Sequence, residues 1–134
     1  MIKAALAHGV TAAFPALNYR TDAELRKAIE DIKSATAKPF GVNLIVNKSN
    51  PKYKGQLEIL LDMKVSYIIT SLGSPREVIE KCKPLGIKVF CDVVDLGYTK
   101  KVGATITGYS IPNIWSNVSW LMKFGFIETG VFTK

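Results

Sequence analysis

At 134 residues the chain has the length of one domain, and 48% hydrophobic with 22% charged residues makes it globular rather than disordered. Its net charge of +7 comes from 18 Lys and Arg against 11 Asp and Glu. The cations are scattered, without a basic run, an RNA-recognition signature or zinc-finger spacing, so no nucleic-acid partner is expected, whereas an acidic small ligand is compatible. Two cysteines, Cys82 and Cys91, are too few for a disulfide framework and follow no secretory signal; a reducing cytoplasm fits, and the apolar stretches are too short to span a membrane.

Met1 to His8 reads as the end of a helix that Gly9 closes, and Val10 to Phe14 as a short buried strand stopped by Pro15. Thr21 and Glu24 have the spacing of a capping box, which starts a helix whose apolar face is Leu25, Ala28, Ile29 and Ile32. Lys38-Pro39 breaks the connection. Phe40 to Val46 is an almost unbroken apolar run, as in a parallel strand covered on both faces. A polar loop, Asn47 to Lys54, leads to a helix marked by Leu57, Leu60 and Leu61. The third strand is expected over Val65 to Thr70. Ser74, Pro75 and Glu77 then suit the cap, first position and capping-box partner of a further helix. Gly86 ends it, and Ile87 to Val94 is the fourth strand.

Strands thus begin near residues 10, 40, 65 and 87 with a helix in each gap, the pattern of right-handed βαβ crossovers and a parallel sheet. The fold class is α/β: a partial TIM-type (β/α) barrel of about four strand–helix units over residues 1–102, followed by an aromatic-rich tail over 103–134 that carries Trp115 and Trp120. A complete barrel of this type needs eight strands and roughly 250 residues. The tail is read either as an irregular segment packed over the open sheet or as the place where the chain departs from its ancestor, by a shifted frame or a truncated gene.

Chemistry that needs a histidine has only His8, at a helix end where it serves as a surface or capping residue. No metal-ligand cluster, GxGxxG or P-loop is present. Cys82 and Cys91 read as buried, inert thiols. Position is the remaining guide, because parallel α/β folds bind ligands at the carboxyl ends of their strands. The polar residues there are Asn43, Thr70, Ser71 and Asp92. A buried amide at Asn43 needs a partner, since leaving it unpaired costs about 1–3 kcal/mol; backbone, water and ligand all qualify. Asp92 is either a catalytic group or a loop cap. Ser71 to Ser74, leading into a helix, has the makings of a phosphate cradle.

The phrases FPALNYRT (Phe14 to Thr21), KPFGVNLIVNKSN (Lys38 to Asn50), ITSLGSP (Ile69 to Pro75) and GIKVFCDVVD (Gly86 to Asp95) resemble the nitronate monooxygenases, formerly called 2-nitropropane dioxygenases, over about Met1 to Val102. The flavin-type enoyl-acyl-carrier-protein reductases are similar and share the fold. The resemblance implies FMN at the strand ends and oxidation of alkyl nitronates with O2, using a histidine base. Asn43 matches the family asparagine that contacts FMN. Asp92 falls where some relatives carry a cation facing the flavin, and an acid cannot take that cation's place at a phosphate. Ser71, at the start of the Ser71 to Ser74 loop, is the further candidate for a cofactor contact. The family's histidine-bearing, glycine-rich segment and its phosphate-binding loops have no counterpart in GATITGYSIPNIWSNVSW (Gly103 to Trp120). The resemblance therefore implies a truncated copy without an assignable catalytic residue. Its alternatives are an enoyl-acyl-carrier-protein reductase relative that uses a reduced nicotinamide, and a non-catalytic half-barrel that self-associates through its open edges.

Overall fold

The structure is a computed structural model that describes residues 1–93 and the backbone of two later strands, Thr105–Ile106 and Gly125–Glu128. In chain order the elements are α1 (Ile2–Ala7), β1 (Ala12–Pro15), α2 (Asp22–Ala35), β2 (Phe40–Ile45), α3 (Tyr53–Asp62), β3 (Tyr67–Ser71), α4 (Arg76–Cys82), β4 (Lys88–Val93), β5 (Thr105–Ile106) and β6 (Gly125–Glu128). The first four strands pair in sequence, all parallel, with registers Ala12↔Phe40, Gly41↔Tyr67 and Tyr67↔Lys88. The expected alternation of strand and helix in one parallel sheet is therefore the architecture.

The helix termini explain where the elements begin. The Thr21 side chain accepts from the Glu24 amide while Glu24 accepts from the Thr21 amide, so the expected capping box forms, worth about 1 kcal/mol. Gly9, at φ +76°, turns the chain out of α1, and the Val10 amide donates back to Ala5. Val10 is thereby left 57% exposed, and the first strand starts two residues later than its apolar character implies. Val65 likewise closes α3: Lys64 takes a left-handed φ of 46° and the Val65 amide donates to Leu60, which delays β3 to Tyr67. The expected Ser74–Glu77 box does not form. Pro75 stands at the N-cap of α4 without a side-chain bond, and Glu77 instead accepts from the Tyr53 hydroxyl at 2.9 Å. A tertiary partner on α3 outcompetes the local one.

Alternation along the strands divides the sheet into two faces. Val42, Leu44, Ile68, Val89 and Cys91 point to the helices and are buried with Leu25, Ile29, Leu57, Leu60 and Val78 in a continuous core. Each fully buried aliphatic side chain there stabilises the fold by roughly 1.5–3 kcal/mol. Cys82 and Cys91 are free and buried in this layer; burial pushes the Cys82 thiol up to about 11, as expected of an inert thiol. The opposite face carries Asn43, Ile45, Ile69, Ser71, Phe90 and Asp92, all half-buried.

Beyond β4 the sheet continues with β6, which is antiparallel to β4 (Asp92↔Phe126), and then β5. The tail expected to be irregular thus contributes two strands; the rest of 103–134, Trp115 and Trp120 included, lies outside the described residues. The strand order is linear, β1-β2-β3-β4-β6-β5, which leaves β1 at an edge. No helix among the described residues is long and apolar enough to cross a membrane.

Candidate functional site

The half-buried face is layered along the strands. Nearest the amino ends, Tyr67 crosses β2 above Gly41 and donates from its hydroxyl to the Ala12 carbonyl at 2.9 Å. Gly41 is required there, because a Cβ at that position would fall inside the Tyr67 ring. Phe90 meets Tyr67 edge-to-face at 5.4 Å, so the floor of the face is aromatic.

Above this floor the polar residues converge. Asn43 Nδ2 donates to the Ser71 Oγ at 2.8 Å and to the Ile69 carbonyl at 3.3 Å. Asp92 stands beside Ser71, one step on from the Thr70↔Cys91 register of β3 and β4. Since the Ile69 carbonyl only accepts, Asn43 must direct its NH2 toward β3, and its Oδ1 is the atom left to accept from elsewhere. Burial pushes the Asp92 carboxyl above its ordinary value and the Ser71 hydrogen bond offsets part of that rise. The outcome is a polar row, Asn43–Ser71–Asp92, laid across β2, β3 and β4 near their carboxyl ends, with Asn43 hydrogen-bonded to Ser71 and Asp92 beside it. Three of the four strand-end polar residues singled out in the sequence are brought together by the register of three strands far apart in the chain.

Thr70 is not part of this group. Its side chain is buried on the helix-covered face, between Leu44 and Cys91 in register, and donates to the Phe90 carbonyl at 3.4 Å. His8 is the C-cap of α1 and exposed, as its position in the sequence implies. Ser71 to Ser74 do lead into α4, but that helix has only 7 residues and no side-chain cap.

Two features had no reading in the sequence. The loop after β2 is shaped by Asn50, which is buried: its Nδ2 donates to the Ile45 carbonyl and to Gln56 Oε1, each at 3.0 Å, and its Oδ1 accepts from the Lys52 amide. A polar run conceals such a residue, because nothing local distinguishes Asn50 from exposed Asn47. The second is an open cleft of about 580 Å³ between the loops that follow β2 and β3, lined among others by Val46, Lys48, Tyr53, Leu72, Gly73 and Arg76. The glycine in SLGS is a signal for it: a Cβ on Gly73 would stand 2.8 Å from the Val46 carbonyl oxygen, so only glycine lets the two loops meet. No group of residues suited to hold a metal ion occurs among the described residues.

No family model matches the chain. Over 84 residues it is 31% identical to the (3aS,4S,5R,7aS)-5-hydroxy-7a-methyl-1-oxo-octahydro-1H-indene-4-carboxyl-CoA dehydrogenase of Rhodococcus jostii, a match covering 63% of this chain and 23% of that protein. Among solved structures it resembles FabK from Thermotoga maritima with a TM-score of 0.57 and 30% identity, over 61% of this chain and 26% of FabK. A variant FabK with methionine replaced by alanine matches equally well, with 27% of its chain covered. The chain thus spans about a quarter of the length of the proteins it matches. The FabK likeness carries the four parallel strand–helix units as part of a TIM-type barrel.

Proposed function

We propose that this chain carries part of the flavin site of an FMN-dependent oxidoreductase, with the flavin ring set against the half-buried face of the sheet. The observation that carries this reading is the Asn43–Ser71–Asp92 line: a polar row on an otherwise apolar and aromatic face, at the strand ends where such folds place ligands. The residues fit the uncharged part of FMN. Asn43 offers Oδ1 as an acceptor to a ring N–H, Ser71 holds the Asn43 amide in place, and Phe90 with Tyr67 forms an apolar floor for a flat ring. They do not fit its phosphate, which Asp92 would repel; that group needs partners other than these three. A bound flavin supplies the electron acceptor, while the protein supplies orientation and the electrostatic setting.

Two substrates are consistent with this site. The sequence phrases favour alkyl nitronates with O2 as the oxidant, whereas the likeness to FabK speaks for the enoyl-acyl-carrier-protein reductase side of the resemblance, with a reduced nicotinamide as donor. Oxygen uptake with a nitronate separates them from NAD(P)H consumption with an enoyl thioester. Because three of the four parallel strands have their inner face only half-buried and β1 is an edge, we further propose that the active form is completed by more protein, a second copy included. The buried, free thiols suit a reducing cytoplasm.

The test is an absorption and fluorescence titration of the 134-residue protein with FMN, alongside Asn43→Ala. Saturable quenching of the flavin by the wild type, weakened about tenfold or more by the substitution, is the expected result. Absence of FMN binding in the wild type, at protein concentrations that also favour self-association, would overturn the reading.

A further inference from the structure

Leu72 is a leucine that folding does not explain. It follows Ser71 at the carboxyl end of β3 with φ +61°, in the left-handed region where a Cβ is disfavoured and glycine is at ease. It also leaves its side chain 64% exposed, so no burial offsets the backbone cost. The adjacent glycine cannot relieve it, because Gly73 is committed to its close approach to Val46. The other non-glycine residue with positive φ among the described residues makes the contrast. Lys64 sits at the C-terminus of α3, where left-handed residues are common, and its side chain is polar and exposed. At Leu72 a glycine or asparagine would lower both the backbone and the solvation cost.

The surroundings say what the leucine faces. Leu72 lines the cleft between the loops after β2 and β3, together with Val46 and the ring of Tyr53. Of the charged residues on that lining, Glu77 is engaged by the Tyr53 hydroxyl and by Lys81. Lys48 and Arg76 make no ion pair among the described residues, and against them stands Glu80. A smaller hollow of about 340 Å³ shares Val46, Asn47, Lys48 and Tyr53 and adds Lys54. The balance of the combined cleft is positive beside an apolar wall.

We propose that this cleft is a binding site for an anion with an apolar body, and that Leu72 is held in its left-handed conformation to supply the apolar wall of that site. The cleft does not include Asn43, Ser71 or Asp92, so the proposal stands or falls apart from the flavin reading.

The experiment is an amide NMR titration of the full chain with hexyl phosphate, with FMN titrated separately. Saturable shifts confined to Asn47, Lys48, Leu72, Gly73 and Ser74 are expected for hexyl phosphate. Leu72→Gly should weaken binding about tenfold without lowering Tm, since it removes the wall and relieves the backbone. Leu72→Ala, which keeps the left-handed Cβ, should lose affinity without the thermal benefit, and Arg76→Gln should weaken binding while the wall is intact. Unsaturable shifts spread over the surface, or wild-type affinity in Leu72→Gly, would overturn the proposal. Failure of FMN alone to shift Asn43 or Ser71 would count against the flavin site and leave the cleft assignment standing.

Discussion

Ile68 and Ile69 are consecutive residues of one strand with opposite surroundings. Ile68 is 0% exposed beneath the helices, among Val42, Leu57, Leu60 and Val89 in the core, whereas Ile69 shares the half-open face with Asn43 and Phe90. One face of the sheet is dry, closed and purely structural; the other keeps its polar line, its aromatic floor and its access. The lesson is that the closed core and the polar row are assigned to opposite sides of the same strands, separated only by the period of two.

The comparison can be broken most directly with the two isoleucines themselves. Ile68→Ala should lower stability by about 2–5 kcal/mol, because the cavity it leaves cannot collapse. Ile69→Ala should cost roughly 1 kcal/mol, since that side chain is only partly buried. Urea unfolding of both variants checks this; equal losses would mean that the second face is as closed as the first. A smaller effect is expected at the edge of the cleft. Tyr53→Phe removes the hydroxyl that ties α3 to Glu77 on α4, at a cost of about 1 kcal/mol measured by thermal unfolding.

The smallest effect concerns charge on the half-open face. Burial raises the Asp92 carboxyl above its ordinary value of 3.8, so the folded state favours the protonated form more than the unfolded chain does. Its stabilising contribution is complete below pH 3.8 and is lost as pH rises through the raised value. Asp92→Asn should therefore gain stability relative to wild type as pH increases over that window, and parallel pH–stability curves for the two proteins would contradict the assignment.

Much of the architecture was legible in the residues. The capping box at Thr21, the apolar run at Phe40 and the glycines at positions 9 and 86 are local signals, and local hydrogen bonding and backbone sterics enforce them. The errors came where a distant group competed with a near one. Glu77 chose Tyr53 over the α4 terminus, and Val10 and Val65 were drawn into the closing turns of helices rather than into strands. Strand β6 beside β4 could not be anticipated, because strand pairing at that distance leaves no periodic trace in the intervening sequence.

By itself the sequence determined which segments are strands and helices, that the first four strands run parallel, and that Asn43, Ser71 and Asp92 stand near strand ends, since all of this follows from periodicity, caps and chain direction. Only the tertiary structure decided that these three side chains form one polar row, with Asn43 bonded to Ser71, while Thr70 turns away to the core. It also decided that Leu72 is exposed at a backbone cost. Register between strands settles which residues meet, and register is set by packing across the whole sheet rather than by any residue's neighbours in the chain.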